Sequence, residues 1–351
     1  MSDLCDMLAL WRKAKPNDDP FVLATLVAVE GSSYRRPGAR MLVTAHGERA
    51  GTISGGCLEA EVAKKAPWLV RNGPVVETFK TSFDLDDEVP TGSGCGGTVH
   101  LLLETRETAH ILLEEMNRAW TRRSDLGVAT LLRGPDAGRR GFAARGDSPN
   151  SNDLSGSGDL GALAASAFDR RASKISSSDV GEMFVEYAPP RRGIFIFGAG
   201  DDAQPMVAYA SALGWYVVVI DGRSNLVRKD RFPLADELRY LTDISVHGID
   251  IKPQDAVVFM THSYEQDLQG LRRVLPVRPT YVGMLGPRFR SERLVRHVAG
   301  ELNLDYETTM AGIHAPLGME VGRDCASVIA LGTIAQIQKL YYDAVQASLA
   351  G

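Results

Sequence analysis

Two cysteines in this chain stand among glycines, Cys57 in "TISGGCLEAEV" and Cys95 in "GSGCGG". A structural thiol is normally buried among apolar neighbours. Cys95 has no apolar residue within two positions on either side. Glycine runs of this density let the backbone turn tightly or come close to another group. Cys57 begins a stretch with helical spacing, where a helix N-terminus with free amides favours the thiolate. Little side-chain bulk surrounds Cys95, so its sulfur should be accessible. Thiolates are soft metal ligands and nucleophiles, which makes Cys57 and Cys95 candidates for metal contact or for carrying sulfur. No histidine adjoins either in sequence, which weakens a cysteine-hydrolase chemistry. Cys5 and Cys325 read as buried, hydrophobe-like thiols. No pair has C-x-x-C spacing, so neither a zinc ribbon nor a thioredoxin motif is indicated.

A second set of candidates lies in the other half of the chain. In "FIFGAGDDA", Gly198, Gly200 and Ala203 fit G-x-G-x-x-A, with Ala199 between the first two glycines. The motif follows an apolar strand and opens a helix, the setting in which a pyrophosphate can approach helix N-terminal amides. Asp221 ends the next strand, where dinucleotide-binding units place the carboxylate that bonds a ribose hydroxyl. Asp201 and Asp202 put two negative charges where the pyrophosphate would sit, and Arg223 suits a 2′-phosphate. Thr261 and His262 end a further strand, and Gly283, Gly286 and Arg288 lie at and beyond the next. Open α/β sheets bind ligands outside such strand ends. There a histidine and an arginine suit an anionic or proton-exchanging ligand. His314 sits in a Pro- and Gly-containing loop before the last helix.

The elements that must hold these residues fall into two patterns. "FVLATLVAVE" reads as a strand, "RMLVTAHGERAGTI" as a hairpin turning at His46-Gly47, and "CLEAEVAKKAPWLV" as a helix with Leu58, Val62 and Trp68 on its apolar face. Strands "VVETFKTSF" and "TVHLLLET" and the helix "HILLEEMNRAW" follow. A faint echo recurs about one hundred residues on. "VATLLRG" answers "LATLVAVE", "GRRGFAARGD" answers the hairpin, "SGSGDLGALAASAFDRRASKI" answers "TISGGCLEAEVAKKAPWLV", and "MFVEYA" answers "VVETF". The second copy lacks both cysteines and reads as scaffold. Residues 145–160, rich in glycine and serine, read as a mobile loop. Residues 1–188 are thus expected to form one α+β domain with a degenerate internal repeat, followed by the linker "APPRRG". From residue 193 to 351, continuous apolar strands alternate with helices, which predicts a Rossmann-like parallel sheet covered on both faces and closed by a long C-terminal helix.

Bulk properties narrow the function classes. The 351 residues carry a net charge of −5 without a basic stripe, which argues against nucleic-acid binding. The N-terminus lacks the basic start and apolar run of a signal peptide, and no stretch reads as a membrane span, so a cytoplasmic protein is expected.

Eight ordered blocks, "GSSYRRPGARMLV", "GTISGGCLEAEV", "GCGGTVHLLLE", "IFGAGDDAQPMV", "VVVIDGR", "VVFMTH", "YVGMLGPRFR" and "IHAPLGMEVGRD", resemble the XdhC/CoxI family of xanthine dehydrogenase accessory proteins. The resemblance spans about residues 20 to 340. It implies a chaperone that binds molybdenum cofactor and supports its sulfuration and insertion into a molybdenum hydroxylase of the xanthine or carbon monoxide dehydrogenase type. It further implies a cysteine desulfurase as sulfur donor, a homodimer, and cofactor contacts at Cys57 and Cys95. Many family members carry histidine where this chain has Asp201. An NAD(P)-dependent oxidoreductase using Gly198, Gly200 and Asp221 is the alternative left open.

Overall fold

The computed structural model describes residues 2–80, 97–145, 152–155, 159–179, 181–240, 248–322 and 324–350. The chain divides into two compact units, Met1–Pro190 and Arg191–Gly351.

The first unit opens with α1 (Ser2–Ala14), β1 (Phe21–Glu30), β2 (Arg40–Thr44), β3 (Arg49–Gly51), α2 (Glu59–Leu69), β4 (Val75–Lys80) and β5 (Thr98–Thr105). Helix α3 (Arg106–Arg122) then leads to β6 (Leu126–Leu131), β7 (Arg140–Arg145), β8 (Asn152–Ser155), α4 (Asp159–Ala165), α5 (Ala167–Arg170), β9 (Lys174–Ser178) and β10 (Gly181–Ala188). The strands form two five-stranded antiparallel sheets, ordered β3-β2-β1-β5-β4 and β8-β7-β6-β10-β9. The two orders are identical after a shift of five strands, so the internal repeat is real. One detail of the expected alignment changes. "MFVEYA" lies in β10, the counterpart of β5 rather than of the edge strand β4, and the offset there falls well below one hundred residues. The stretch 145–160 is not wholly a loop: it includes the last residue of β7, β8 and the start of α4, and its other residues lie outside those described.

Strand β1 reads as a continuous apolar run because both its faces are covered. Val22, Ala24 and Leu26 pack with Val62 and Ala66 of α2, while Phe21 and Leu23 pack with α1 and α3 through Trp11, Leu112 and Met116. Val27, Leu102, Leu132 and Phe184 join the two sheets. Two buried ion pairs also link them, and they correspond under the repeat. Arg40 of β2 pairs with Glu186 of β10, and Arg140 of β7 pairs with Glu104 of β5. Trp68 departs from expectation: it is 62% exposed, with the Arg71 guanidinium over its ring at 4.5 Å.

In the second unit, β11 (Gly193–Phe197), α6 (Ala203–Ala212), β12 (Tyr216–Asp221), β13 (Glu237–Tyr240), β14 (Ala256–Phe259), α7 (Tyr264–Val277), β15 (Tyr281–Met284), α8 (Arg288–Glu301), α9 (Tyr306–Ala311), β16 (Ile313–His314) and α10 (Ala326–Ala350) follow in turn. The six strands are all parallel in the order β13-β12-β11-β14-β15-β16. That is the doubly wound arrangement, with its reversal between β11 and β14. Ile194, Ile196, Val217 and Val219 face α6 and α10, and Phe195, Phe197, Val218 and Ile220 face the side of α7 and α8. Among the described residues no helix is long and apolar enough to cross a membrane.

Candidate functional site

In the first unit the segment before α2 is wound around a carboxylate. Glu59 Oε1 accepts from the Ile53, Ser54 and Gly55 amides at 3.0, 3.0 and 3.3 Å. Its Oε2 accepts from the Ser54 hydroxyl at 2.6 Å and the Gly56 amide at 3.0 Å. Burial alone would push this carboxyl up; the donors around it outweigh burial and hold it down to about 2. Both glycines have positive φ, +117° at Gly55 and +122° at Gly56, a conformation that side chains rarely adopt. The helix starts at Glu59 rather than at Cys57, the amides of residues 53–56 are committed to the Glu59 carboxylate, and the Leu58 amide donates to the Ser54 hydroxyl at 3.1 Å. The winding leaves Cys57 exposed at the tip, its Sγ 3.4 Å from the Ser54 hydroxyl. Nothing lies within 4 Å of where a Cβ on Gly56 would point, so the backbone beside the sulfur is open.

The turn between β1 and β2 borders this loop. A Cβ on Gly55 would stand 3.0 Å from the Tyr34 ring. A Cβ on Gly97, which closes the second glycine loop, would collide with the Ser32 carbonyl. One turn thus touches the Cys57 loop on one side and the end of the "GSGCGG" segment on the other. Cys95 itself lies outside the described residues. Arg35 anchors the turn through Asp3 and the Thr52 hydroxyl. Cys5 is half-buried and Cys325 exposed, so Cys325 is not the buried thiol its sequence context suggested.

The second unit brings some of its candidates together and separates others. Gly198, at φ +123°, donates its amide to the Ile220 carbonyl at 2.8 Å, and a Cβ there would stand 2.7 Å from the Met260 backbone. The loops after β11 and β14 therefore meet at the sheet reversal. Asp221 is buried, and both its oxygens are occupied. Oδ2 accepts from the Ala199 amide at 2.8 Å and from Arg223 Nη2 at 2.7 Å, and Oδ1 accepts from Arg223 N and Nε at 2.9 Å. Burial would raise its pKa, and these bonds, led by Arg223, carry it below the ordinary carboxylate range. Arg223 is thus held by Asp221. Asp201 is exposed and paired with Arg231 at 2.9 Å. The Asp202 carboxylate lies 2.5 Å from where a Cβ on Gly200 would be. The mouth of the glycine motif therefore carries carboxylates.

Beyond β14, the Thr261 hydroxyl donates to the fully buried Asp267 at 2.5 Å, and Arg290 pairs with Asp267 at 2.7 Å. Burial pushes the Asp267 carboxyl up despite these partners and the neighbouring His262. His262 itself is exposed. Arg288 is turned to solvent and bound to Glu292 at 2.9 Å, so Arg290 is the arginine that reaches the Thr261 group. Gly283 and His314 belong elsewhere. The Tyr281 ring lies where a Gly283 side chain would be and stacks on His314 at 4.5 Å and 10°. Burial holds the His314 imidazole below its usual pKa. Gly286 has φ +112° and open space beside it.

Sequence reasoning missed Glu59, Asp267, Arg290 and Tyr34. Glu59 stands in the first turn of α2, where an acid suits the helix N-terminus, and nothing in its sequence context marks it as the centre of the loop. Among the described residues no group of three or more His, Cys, Asp or Glu gathers as metal ligands. The exposed Cys57 sulfur, with open backbone beside it, can offer one soft ligand to a metal.

Comparison with known proteins agrees with this fold. The XdhC Rossmann domain family matches residues 194–337, and the XdhC and CoxI family matches residues 15–80. A probable xanthine dehydrogenase subunit from Bacillus subtilis (strain 168) is 26% identical over 329 residues, covering 90% of this chain and 92% of that protein. The molybdenum cofactor insertion chaperone PaoD of Escherichia coli (strain K12) is 26% identical over 330 residues, covering 90% and 82%. A crystal structure from Bacillus halodurans, described as a xanthine dehydrogenase, superposes with a TM-score of 0.74 at 28% identity, covering 98% and 96% of the two chains. With one match on the strands and loop that carry Cys57 and the other on the doubly wound sheet, the chain belongs to the XdhC and CoxI family.

Proposed function

We propose that the protein binds molybdenum cofactor through the loop that presents Cys57 and delivers it to a molybdenum hydroxylase, supporting sulfuration on the way. The observation that carries this reading is the turn at residues 31–36, which abuts both Gly55 beside Cys57 and Gly97 at the end of the Cys95 segment. The relationship to PaoD, a molybdenum cofactor insertion chaperone, supports it. Glu59 fixes the loop, so the thiol is presented from a rigid backbone and binding it costs little ordering entropy. The cofactor supplies the metal and its dithiolene, and the chain supplies a soft sulfur and an open backbone surface. Cys95 is the partner sulfur in this reading. A dinucleotide in the second unit is the weaker reading, because Asp221 already has both oxygens bonded within the protein.

The test adds the purified protein, loaded during expression, to a cofactor-free molybdenum hydroxylase. Activation by the wild type and none by a Cys57→Ala, Cys95→Ala variant is expected. Equal activation by both would remove the cysteines from the function.

A further inference from the structure

The turn that borders the Cys57 loop carries an exposed aromatic ring and an exposed cation. Tyr34 is 74% exposed, although its Cβ, Cγ and Cδ1 lie against Gly55 at 3.5, 3.3 and 3.0 Å from an ideal Cβ position. Any side chain at residue 55 would displace the ring, and the positive φ there already excludes most of them. The ring is steadied by Arg35, whose guanidinium stands 5.7 Å from its centroid and is itself fixed by Asp3 and Thr52. Tyr34 is therefore held against the cysteine loop while most of its surface faces water. Arg36 follows it, is exposed, and has no acidic partner among the described residues. Arg35 and Arg40 of the same segment are paired, with Asp3 and Glu186 respectively.

We infer that Tyr34 is a stacking platform, and Arg36 a phosphate partner, for a planar conjugated heterocycle bearing a phosphate that binds beside Cys57. The inference rests on the proposed cofactor function and adds to it the residues that recognise the organic part of the ligand. Aromatic rings recognise heterocycles through their π-faces irrespective of sequence or substituents. A guanidinium recognises phosphate by charge-assisted, often paired, hydrogen bonds. A pterin and a purine nucleotide share this chemistry, and the test separates them.

The probes are the fluorescent oxidised phosphopterin obtained from molybdopterin, its dephosphorylated form, and GMP as competitor, with binding read by fluorescence anisotropy of the full-length protein. Stacking on one ring predicts that Tyr34→Ala weakens both pterins by about 5- to 150-fold, while Tyr34→Phe stays within about twofold of the wild type. Arg36→Gln weakens only the phosphorylated form and flattens its salt dependence. Competition by GMP at equal concentration assigns the platform to a nucleotide portion, and failure to compete assigns it to the pterin; either supports a platform. Molybdenum content of Cys57→Ser and pterin binding by Tyr34→Ala are separate readouts, so failure of the metal contact is distinguished from failure of the platform. Equal pterin binding by the wild type and Tyr34→Ala, with matching circular dichroism, would overturn the inference.

Discussion

The two halves of the first unit have one strand order and one pair of crossing ion pairs, yet they treat the helix packed on the sheet differently. In the second half, α4 is pressed onto glycines. A Cβ on Gly127 or Gly141 would collide with the backbone at Ala164 or Leu160. The strand registers place Val22 and Met41 at the corresponding positions of the first half, and both are core residues under α2. The first half keeps its helix on side chains and winds the preceding loop around Glu59, with Cys57 at the tip. The second half keeps its helix on backbone and has no cysteine. Duplication supplied two frames; one became close-packed support and the other carries an exposed thiol.

The largest expected effect comes from breaking what the halves share. Replacing Arg140 by Met leaves Glu104, fully buried, without its ion-pair partner, and should cost about 3–5 kcal/mol. Arg40→Met should cost a similar amount through Glu186, and denaturant unfolding of both variants checks the equivalence. The double replacement of Arg140 and Glu104 by Met should recover much of the loss, since apolar groups need no counter-charge.

A next, smaller effect isolates the packing difference. Gly141→Ala forces α4 off the sheet and should cost about 1–3 kcal/mol. Met41→Leu at the matching position should cost under about 1.5 kcal/mol, since volume is conserved.

Glu59 distinguishes the halves by pH. Its pKa is about 2 when folded against 4.5 ordinarily. A depressed folded value means the stabilisation is complete above the ordinary value and is lost as pH falls toward 2. Glu59→Gln should lower stability by about 2 kcal/mol at neutral pH, because a charged acceptor of several buried donors is removed. It should also remove part of the acid-induced loss below about pH 4.5. A parallel acid profile in wild type and variant would show that the loop does not depend on this charge.

Much of this architecture is legible in the sequence, because it is written as hydrophobic pattern. The β1 run, the turn at His46-Gly47 and the alternation from Gly193 onward specify strands, a hairpin and a parallel sheet. Less legible was what depends on backbone conformation or on which strand lies beside which. β10 could be matched to β4 by its apolar residues but is equivalent to β5, because strand order rather than sequence order decides the pairing. Trp68 follows helical apolar spacing, yet α2 ends near it and leaves it to Arg71. Arg288 and Arg290 lie on opposite sides of α8, and two residues of helix separate a solvent contact from the Asp267 pair. The role of Glu59 requires positive φ at Gly55 and Gly56 together, which glycine permits without announcing.

Smallest in stability is the change on which the proposed function depends most. Cys57 is exposed, so Cys57→Ala should shift unfolding by no more than about 0.5 kcal/mol. Molybdenum and pterin per chain, measured by mass spectrometry on protein purified from cells that make the cofactor, test the account most directly. Wild type retaining both and folded Cys57→Ala having lost its molybdenum is the predicted result; equal molybdenum in the two proteins would contradict it.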